Sequence, residues 1–201
     1  MRLTGILVPG RLYSTAGTLF DLADFILTGH GDAAEHVTWL APEGLLDIDP
    51  EPFVRVHVEA ALHRIDPSTR PILIAKSLGT RAAALAAERS LPAIWLTPLL
   101  VDPVVTAAIT AGPAPALLIG GTGDRFWDSD AARATGKPFV EIPDADHALR
   151  VPGTVRDYTD ALQEIATNIE RFLDFVRSEK SPNTTFTVPE SRRAVAPPQN
   201  P

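Results

Sequence analysis

Apolar residues fall in short runs along most of this chain, each about the length of a strand, and between the runs they recur at helical spacing. Runs rich in Ile, Leu or Val near Gly5–Val8, His36–Ala41, Pro71–Ala75, Ala93–Thr97, Ala116–Gly120 and Phe139–Ile142 predict six strands. Thr18-Leu19-Phe20-Asp21 reads as a capping box that opens a helix ending near Gly29, with Leu19, Leu22, Ala23 and Ile26 on one face. Glu51 to Ile65 is ambiguous: Val54, Val56 and Val58 alternate as in a strand. Val54, Val58, Leu62 and Ile65 recur at helical spacing over the longer window, which predicts a helix. A last helix, Tyr158–Arg177, places Leu162, Ile165, Ile169, Phe172, Leu173 and Val176 on a buried stripe. Strands that alternate with helices predict an α/β fold: a mostly parallel sheet of about six strands with helices on both faces.

Composition bounds this picture. At 201 residues and 45% apolar content the chain can bury one substantial core, and nothing calls for a second domain. The reading divides it into a domain over 1–177 and a tail over 178–201, where five prolines among Ser, Thr, Asn and Gln predict disorder. Phe186 and Val188 are the tail's candidates for docking on the domain. No internal repeat is present. No apolar stretch is long enough to span a membrane, and the first ten residues lack the features of a secretory signal. The absence of cysteine excludes disulfides and thiolate metal sites and fits a cytoplasmic protein. A net charge of −7 argues against general nucleic-acid binding.

The chemistry concentrates at three strand ends. Ala75-Lys76-Ser77-Leu78-Gly79 sets a serine between small residues where an apolar strand gives way to an alanine-rich helix. A turn sharp enough to lift Ser Oγ clear of the backbone brings the residues two before and two after it together, so both must be small. Gly120-Gly121-Thr122-Gly123-Asp124 follows the fifth run, and Asp144-Ala145-Asp146-His147 follows the sixth. Taken singly, Ser77 reads equally as a helix cap, Asp124 as a turn former and His147 as a loop residue. In this order at these strand ends they read together as nucleophile, acid and base: Ser77, Asp124, His147.

The order Ser, Asp, His and the three strand-end motifs resemble the α/β-hydrolase superfamily from about Gly5 to Val176, and the Lys-Ser-Leu-Gly turn resembles its small, lidless serine-hydrolase branch. The resemblance implies a cofactor-independent enzyme cleaving carboxylic esters or thioesters of small molecules through an acyl-enzyme. Acyl transfer and amide or lactone cleavage would use the same groups. A binding or scaffold protein that keeps the fold is the alternative of a different class. Ser77 needs His147 to take its proton, and His147 needs a carboxylate to fix its tautomer. The oxyanion needs backbone donors: Leu78 N–H follows the nucleophile at a helix N-terminus, and the resemblance places the second at Arg11 N–H, in Pro9-Gly10-Arg11-Leu12. Tyr13, Phe126 and Trp127 are expected to line the substrate. Only Pro98–Pro115 separates the fourth and fifth strands, room for one short helix, so the site should be open.

Asp102, past the fourth strand, and Asp146, beside His147, compete with Asp124. Neighbouring side chains on an extended loop point apart, which disfavours Asp146, and Asp102 sits beyond its strand between Pro98 and Pro103. Gly10 to Gly17 matches neither the dinucleotide nor the P-loop pattern, and His30, His36, His57 and His63 lack zinc-site spacing; no cofactor or metal is implied. Arg11, Lys76, Arg125 and Arg150 adjoin the site loops of an acidic chain, so its mouth is expected to favour anionic groups.

Overall fold

The computed structural model describes residues 1–178 and 186–188. Its strands are β1 (Leu3–Val8), β2 (Ala33–His36), β3 (Arg70–Lys76), β4 (Ala93–Leu96), β5 (Ala116–Gly121) and β6 (Phe139–Ile142). Its helices are α1 (Thr18–Gly29), α2 (Glu51–Arg64), α3 (Ala83–Glu88), α4 (Pro103–Ala111), α5 (Ser129–Ala134) and α6 (Val155–Ser178), with 3₁₀ turns at Leu45–Asp47 and Ser77–Ala82. The six strands form one sheet in the order β2-β1-β3-β4-β5-β6, every pair parallel.

Successive residues of a strand face opposite sides of the sheet, so a strand that is apolar throughout feeds two cores. Leu3, Leu7, Ile72, Ile74, Leu117 and Ile119 pack under α1 and α6. Ile6, Val8, Leu73, Ala75, Trp95 and Leu118 pack under α2, α3 and α4. The order reverses between β1 and β3, because the chain winds outward to β2 on one side and to β4, β5 and β6 on the other. Loops leaving the carboxyl ends of β1 and β3 therefore part company and leave a crevice between them.

Two elements differ from the sequence reading. The second strand lies at Ala33–His36, before the expected His36–Ala41, and pairs Thr4 with Ala33 through Leu7 with His36. It is an edge strand with half-exposed, partly polar positions, so it carries little apolar signal. The apolar residues behind the expectation belong to the following loop, where Val37 is buried and Trp39 donates from Nε1 to the Gly10 carbonyl at 3.1 Å. Helix α1 begins at Thr18 as expected, but Gly17 is its N-cap and no side chain caps it in the manner of a capping box. The Tyr13 hydroxyl instead accepts the Leu19 N–H at 3.1 Å. A reciprocal cap does open α6, where Thr154 N–H donates to Asp157 Oδ2 at 2.6 Å and Asp157 N–H to Thr154 Oγ1 at 3.3 Å.

Most of the expected tail lies outside the described residues. Phe186 and Val188 pack against the α1/α6 core, with the Phe186 ring 5.1 Å from that of Phe172 and 5.6 Å from that of Phe175. Among the described residues no helix is long and apolar enough to cross a membrane.

Candidate active site

β3 ends at Lys76, and Ser77 takes φ of 51°, a left-handed conformation that a side chain rarely adopts. This is the sharp turn that the small flanking residues allow. A Cβ on Gly79 would come within 2.7 Å of the Val8 carbonyl oxygen and 2.8 Å of that of Pro9, so the turn packs directly on the end of β1. Ala75 is fully buried on the other side of the serine. Thr80 Oγ1 donates to the Ser77 carbonyl at 2.6 Å and ties off the first turn.

The loop after β5 brings in Asp124, and the loop after β6 brings in His147. The two loops lock together: Gly123 N–H donates to the Ala145 carbonyl, Asp144 N–H to Thr122 Oγ1, and a Cβ on Gly121 would collide with the Ala145 carbonyl oxygen. The result is a continuous relay. Ser77 Oγ lies 2.8 Å from His147 Nε2, and His147 Nδ1 lies 2.6 Å from Asp124 Oδ2. The Asp124 side chain is fully buried, and its other oxygen accepts the Phe126 N–H at 2.9 Å. His147 keeps a third of its side chain exposed, with its ring against that of Phe126, 4.9 Å between centroids. A buried carboxylate on Nδ1 fixes the tautomer in which Nε2 can accept a proton from Ser77.

Neither competing acid reaches His147. Asp102 caps α4 through the Val104 N–H at 2.9 Å and pairs with Arg81. Asp146 folds its carboxylate back onto the N–H groups of Ala148 and Arg150 at 2.8 and 3.0 Å. The remaining histidines lie elsewhere, His57 and His63 each bonded through Nδ1 to the carbonyl four residues back. Among the described residues no three His, Cys, Asp or Glu side chains gather as a metal ion would require.

Ser77 and His147 open into a cleft of about 490 Å³. Tyr13 and Phe126 line it with Leu12, Leu46, Leu78 and Leu99. Trp127, expected there, is buried behind it instead: its ring faces Phe139, its Nε1 donates to Glu141 Oε1 at 2.8 Å, and it packs in the α2/α3/α4 core. The alternation that exposes Phe126 to the cleft turns its neighbour inward. Leu46 and Leu99 were not expected in the cleft; they come from the 3₁₀ turn after β2 and the loop after β4, where no motif marks them. Both expected oxyanion donors, Leu78 and Arg11, border the cleft, and among the described residues neither N–H is taken by another protein group. Among the described residues α4 is the single helix between β4 and β5, so no large lid is inserted there.

The four basic residues separate. Arg11 and Arg125 line the mouth, the Arg125 guanidinium 4.6 Å over the Phe126 ring, and neither pairs with a carboxylate among the described residues. Arg150 is exposed outside the cleft lining. Lys76 borders the cleft too, but its side chain is buried rather than held out at the mouth, with Nζ 2.6 Å from the His147 carbonyl oxygen, 2.8 Å from Thr97 Oγ1 and 4.7 Å from the centre of the Tyr13 ring. Burial lowers its pKa to about 8, and the negative charges of Asp124 and Asp146 only partly oppose this. Burial likewise raises the Tyr13 hydroxyl, against the lowering effect of the Leu19 N–H.

No protein-family model matches this chain, and no curated protein does. Solved structures do. Est1E from Butyrivibrio proteoclasticus, with ferulic acid bound, superposes with a TM-score of 0.67 at 15% identity over 89% of this chain and 90% of that one. The esterase domain of a Rhodothermus marinus protein gives 0.56 at 16% identity, covering 87% and 85%. A Xanthomonas campestris α/β serine hydrolase without a lid gives 0.52 at 17% identity, covering 85% and 82%. At such identities the likeness is one of architecture. The chain has the α/β-hydrolase fold.

Proposed function

We propose that this protein is a serine hydrolase that cleaves carboxylic esters or thioesters of small molecules through an acyl-enzyme. The observation that carries the reading is the unbroken relay from Ser77 Oγ through His147 to a buried Asp124, opening on an apolar cleft. Ser77 Oγ attacks the substrate carbonyl while His147 Nε2 takes its proton. Asp124 holds the Nδ1–H and stabilises the imidazolium that forms. The carbonyl oxygen, now an anion, is met by Leu78 N–H at the start of the 3₁₀ turn and by Arg11 N–H. His147 returns the proton to the leaving alcohol or thiol, and the acyl group remains on Ser77. Water then attacks the acyl carbon as Nε2 takes its proton, and Nε2 hands that proton to Ser77 Oγ as the bond from Oγ to the acyl carbon breaks, which releases the acid and restores the serine.

The apolar cleft walls suit an acyl or alcohol group of moderate size, and Arg11 and Arg125, which pair with no carboxylate among the described residues, favour one that also bears a negative charge. Est1E, a protein of the same fold, holds a carboxylic acid, the product class of this reaction. The cysteine-free composition fits a reducing compartment, and we propose the cytoplasm as the location.

The test is Ser77→Ala. With the nucleophile removed, turnover of p-nitrophenyl esters should fall by up to about a millionfold while the circular dichroism spectrum stays unchanged. A fluorophosphonate probe should add one phosphonyl group to Ser77 in the wild type and none to the variant. A folded variant that still hydrolyses the ester would refute the assignment.

A further inference from the structure

Lys76 is a large side chain with almost no exposed surface, it precedes the nucleophile, and the relay makes no use of it. We infer that Lys76 is a positioning residue, whose buried ammonium holds the His147 backbone so that Nε2 stays in register with Ser77 Oγ. The inference rests on the hydrolase reading for its meaning, but its geometry stands apart from any substrate.

Four segments meet at one nitrogen. Lys76 belongs to β3, Thr97 follows β4, His147 lies in the loop after β6, and Tyr13 in the loop after β1. The bond at 2.6 Å goes to the carbonyl of His147 itself, so one side chain links the backbone of the base to the strand that ends in the nucleophile. The rest of the His147 loop is held on either side of that point. Upstream, Thr122 Oγ1 accepts the Asp144 N–H; downstream, the Asp146 carboxylate accepts those of Ala148 and Arg150. Asp144 and Leu149 adopt φ of 56° and 57°, conformations that persist only where surrounding contacts over-determine them. Thr97, at 41°, is strained in the same way. Lys76 contacts the loop at its centre, between the two strained residues.

An apolar residue of the same length would fill the space at lower desolvation cost, yet it would leave the His147 carbonyl and the Thr97 hydroxyl without this donor. An ammonium supplies three donors from one atom, enough for both oxygens, with the Tyr13 ring face receiving the remaining positive edge. A buried charge kept at that cost is explained if the loop it holds must not drift, because a misplacement of about 1 Å in a catalytic base can cost about a hundredfold in rate.

The chain contains no cysteine, so Lys76→Cys creates a unique thiol that can be alkylated in urea and returned to buffer. Alkylation with 2-bromoethylamine rebuilds an ammonium at nearly the length of lysine; alkylation with 1-bromopropane rebuilds the bulk without the charge. We expect the aminoethyl adduct to recover kcat to within about tenfold of wild type. The propyl adduct and Lys76→Met should remain about a hundredfold below it, with KM within about threefold. Nitrogen-15 spectra of the His147 ring, assigned with His147→Gln, should show the Nδ1–H tautomer in the wild type and the aminoethyl adduct and an averaged pattern in the propyl adduct. Equal kcat and equal ring shifts for the two adducts, whether high or low, would overturn the inference and leave Lys76 a packing residue. The ring spectra need no turnover, so they decide the role of Lys76 even if fluorophosphonate fails to label Ser77 and the hydrolase reading falls.

Discussion

Replacing Asp124 by Asn perturbs the site at a single atom. The carboxylate is buried with both oxygens engaged, Oδ1 by the Phe126 N–H at 2.9 Å and Oδ2 by His147 Nδ1 at 2.6 Å. An Asn side chain offers one oxygen and one NH₂. The Phe126 N–H can only donate, so the amide oxygen must stay where Oδ1 was, which turns the NH₂ towards Nδ1. Nδ1 then accepts, the imidazole proton moves to Nε2, and the atom facing Ser77 Oγ at 2.8 Å becomes a donor that cannot serve as base. Flipping the amide would restore the tautomer but set two buried donors face to face, at a cost of about 1–3 kcal/mol. The variant is thus held in the wrong tautomer by the Phe126 backbone. Where such a tautomer switch has been isolated, turnover falls about ten-thousandfold, which is about 5.4 kcal/mol of barrier. The assay is kcat for a p-nitrophenyl ester, measured for Asp124→Asn, Asp102→Asn and Asp146→Asn side by side. Asn can keep both the α4 cap at 102 and the turn at 146, so those two variants should stay within about threefold of wild type. Asp124→Asn within tenfold of wild type, or a crippled Asp102→Asn, would refute this account of the relay.

Substrate charge is tested by comparing kcat/KM for a neutral ester and its carboxylate-bearing analogue: the anion should be favoured at low salt, the preference should fade at high salt, and Arg11→Gln with Arg125→Gln should abolish it. No preference at low salt removes the idea. Stability should rise with pH above about 8, because Lys76 gives up its proton near pH 8 when folded and near its ordinary 10.5 when unfolded, so the unfolded chain binds more protons in that window. The whole rise from Lys76 is of order 3 kcal/mol at 1.36 kcal/mol per pH unit, and urea midpoints between pH 7.5 and 9.5 should show a steeper slope than in Lys76→Met, where only other groups such as half-buried Lys137 contribute. Equal slopes in the two proteins would contradict the buried ammonium. Gly79→Ala should cost about 1–3 kcal/mol and lower Tm by several degrees, since its Cβ would press on two backbone carbonyls that cannot yield; an unchanged Tm would mean that the turn does not pack on β1 as described.

How far the sequence could be read depended on whether the apolar pattern of an element reported its place in the sheet, as it does even in half-buried β6. β1, β3, β4 and β5 are almost entirely buried, so their residue types report the environment directly and their expected bounds hold to within two residues. β2 is half-exposed at the sheet edge, and its sequence, Ala-Ala-Glu-His, answers to solvent as much as to the core. The stronger signal just beyond it, Val37 to Ala41, comes from a loop whose Trp39 packs on Phe53 and His57. Periodicity cannot separate such a loop from a strand, because both bury apolar side chains at short spacing. Thr18 failed as a cap for a related reason. Its spacing to Asp21 fits the motif, but the first-turn N–H that needed a partner found the hydroxyl of Tyr13 six residues upstream, a loop contact that no capping motif describes.

The candidate site divides along the same line. Ser77, Asp124 and His147 could be picked out because each is tied to a strand end, and a parallel sheet delivers its strand ends to one edge whatever the loops do in detail. The choice among three aspartates rests on chain position: Asp146 adjoins His147, Asp102 sits beyond its strand between two prolines, and Asp124 leaves its strand through a glycine-rich turn. All three take the N–H two residues on through a single oxygen, so that turn does not separate them; what does is the second oxygen, which in Asp124 meets His147 and in Asp102 meets Arg81. Lys76 resisted any such reading. In an acidic chain a lysine beside a serine nucleophile reads as a surface cation, and its length permits that reading as readily as burial. What decides its fate is whether enough acceptors gather below the surface to hold an ammonium. Those acceptors, the carbonyl of His147 and the hydroxyl of Thr97, lie 71 and 21 residues away in the chain. A charge is stable in the interior only by virtue of partners that the fold brings from afar, so the residues on which a buried ion acts are the ones that sequence order hides best.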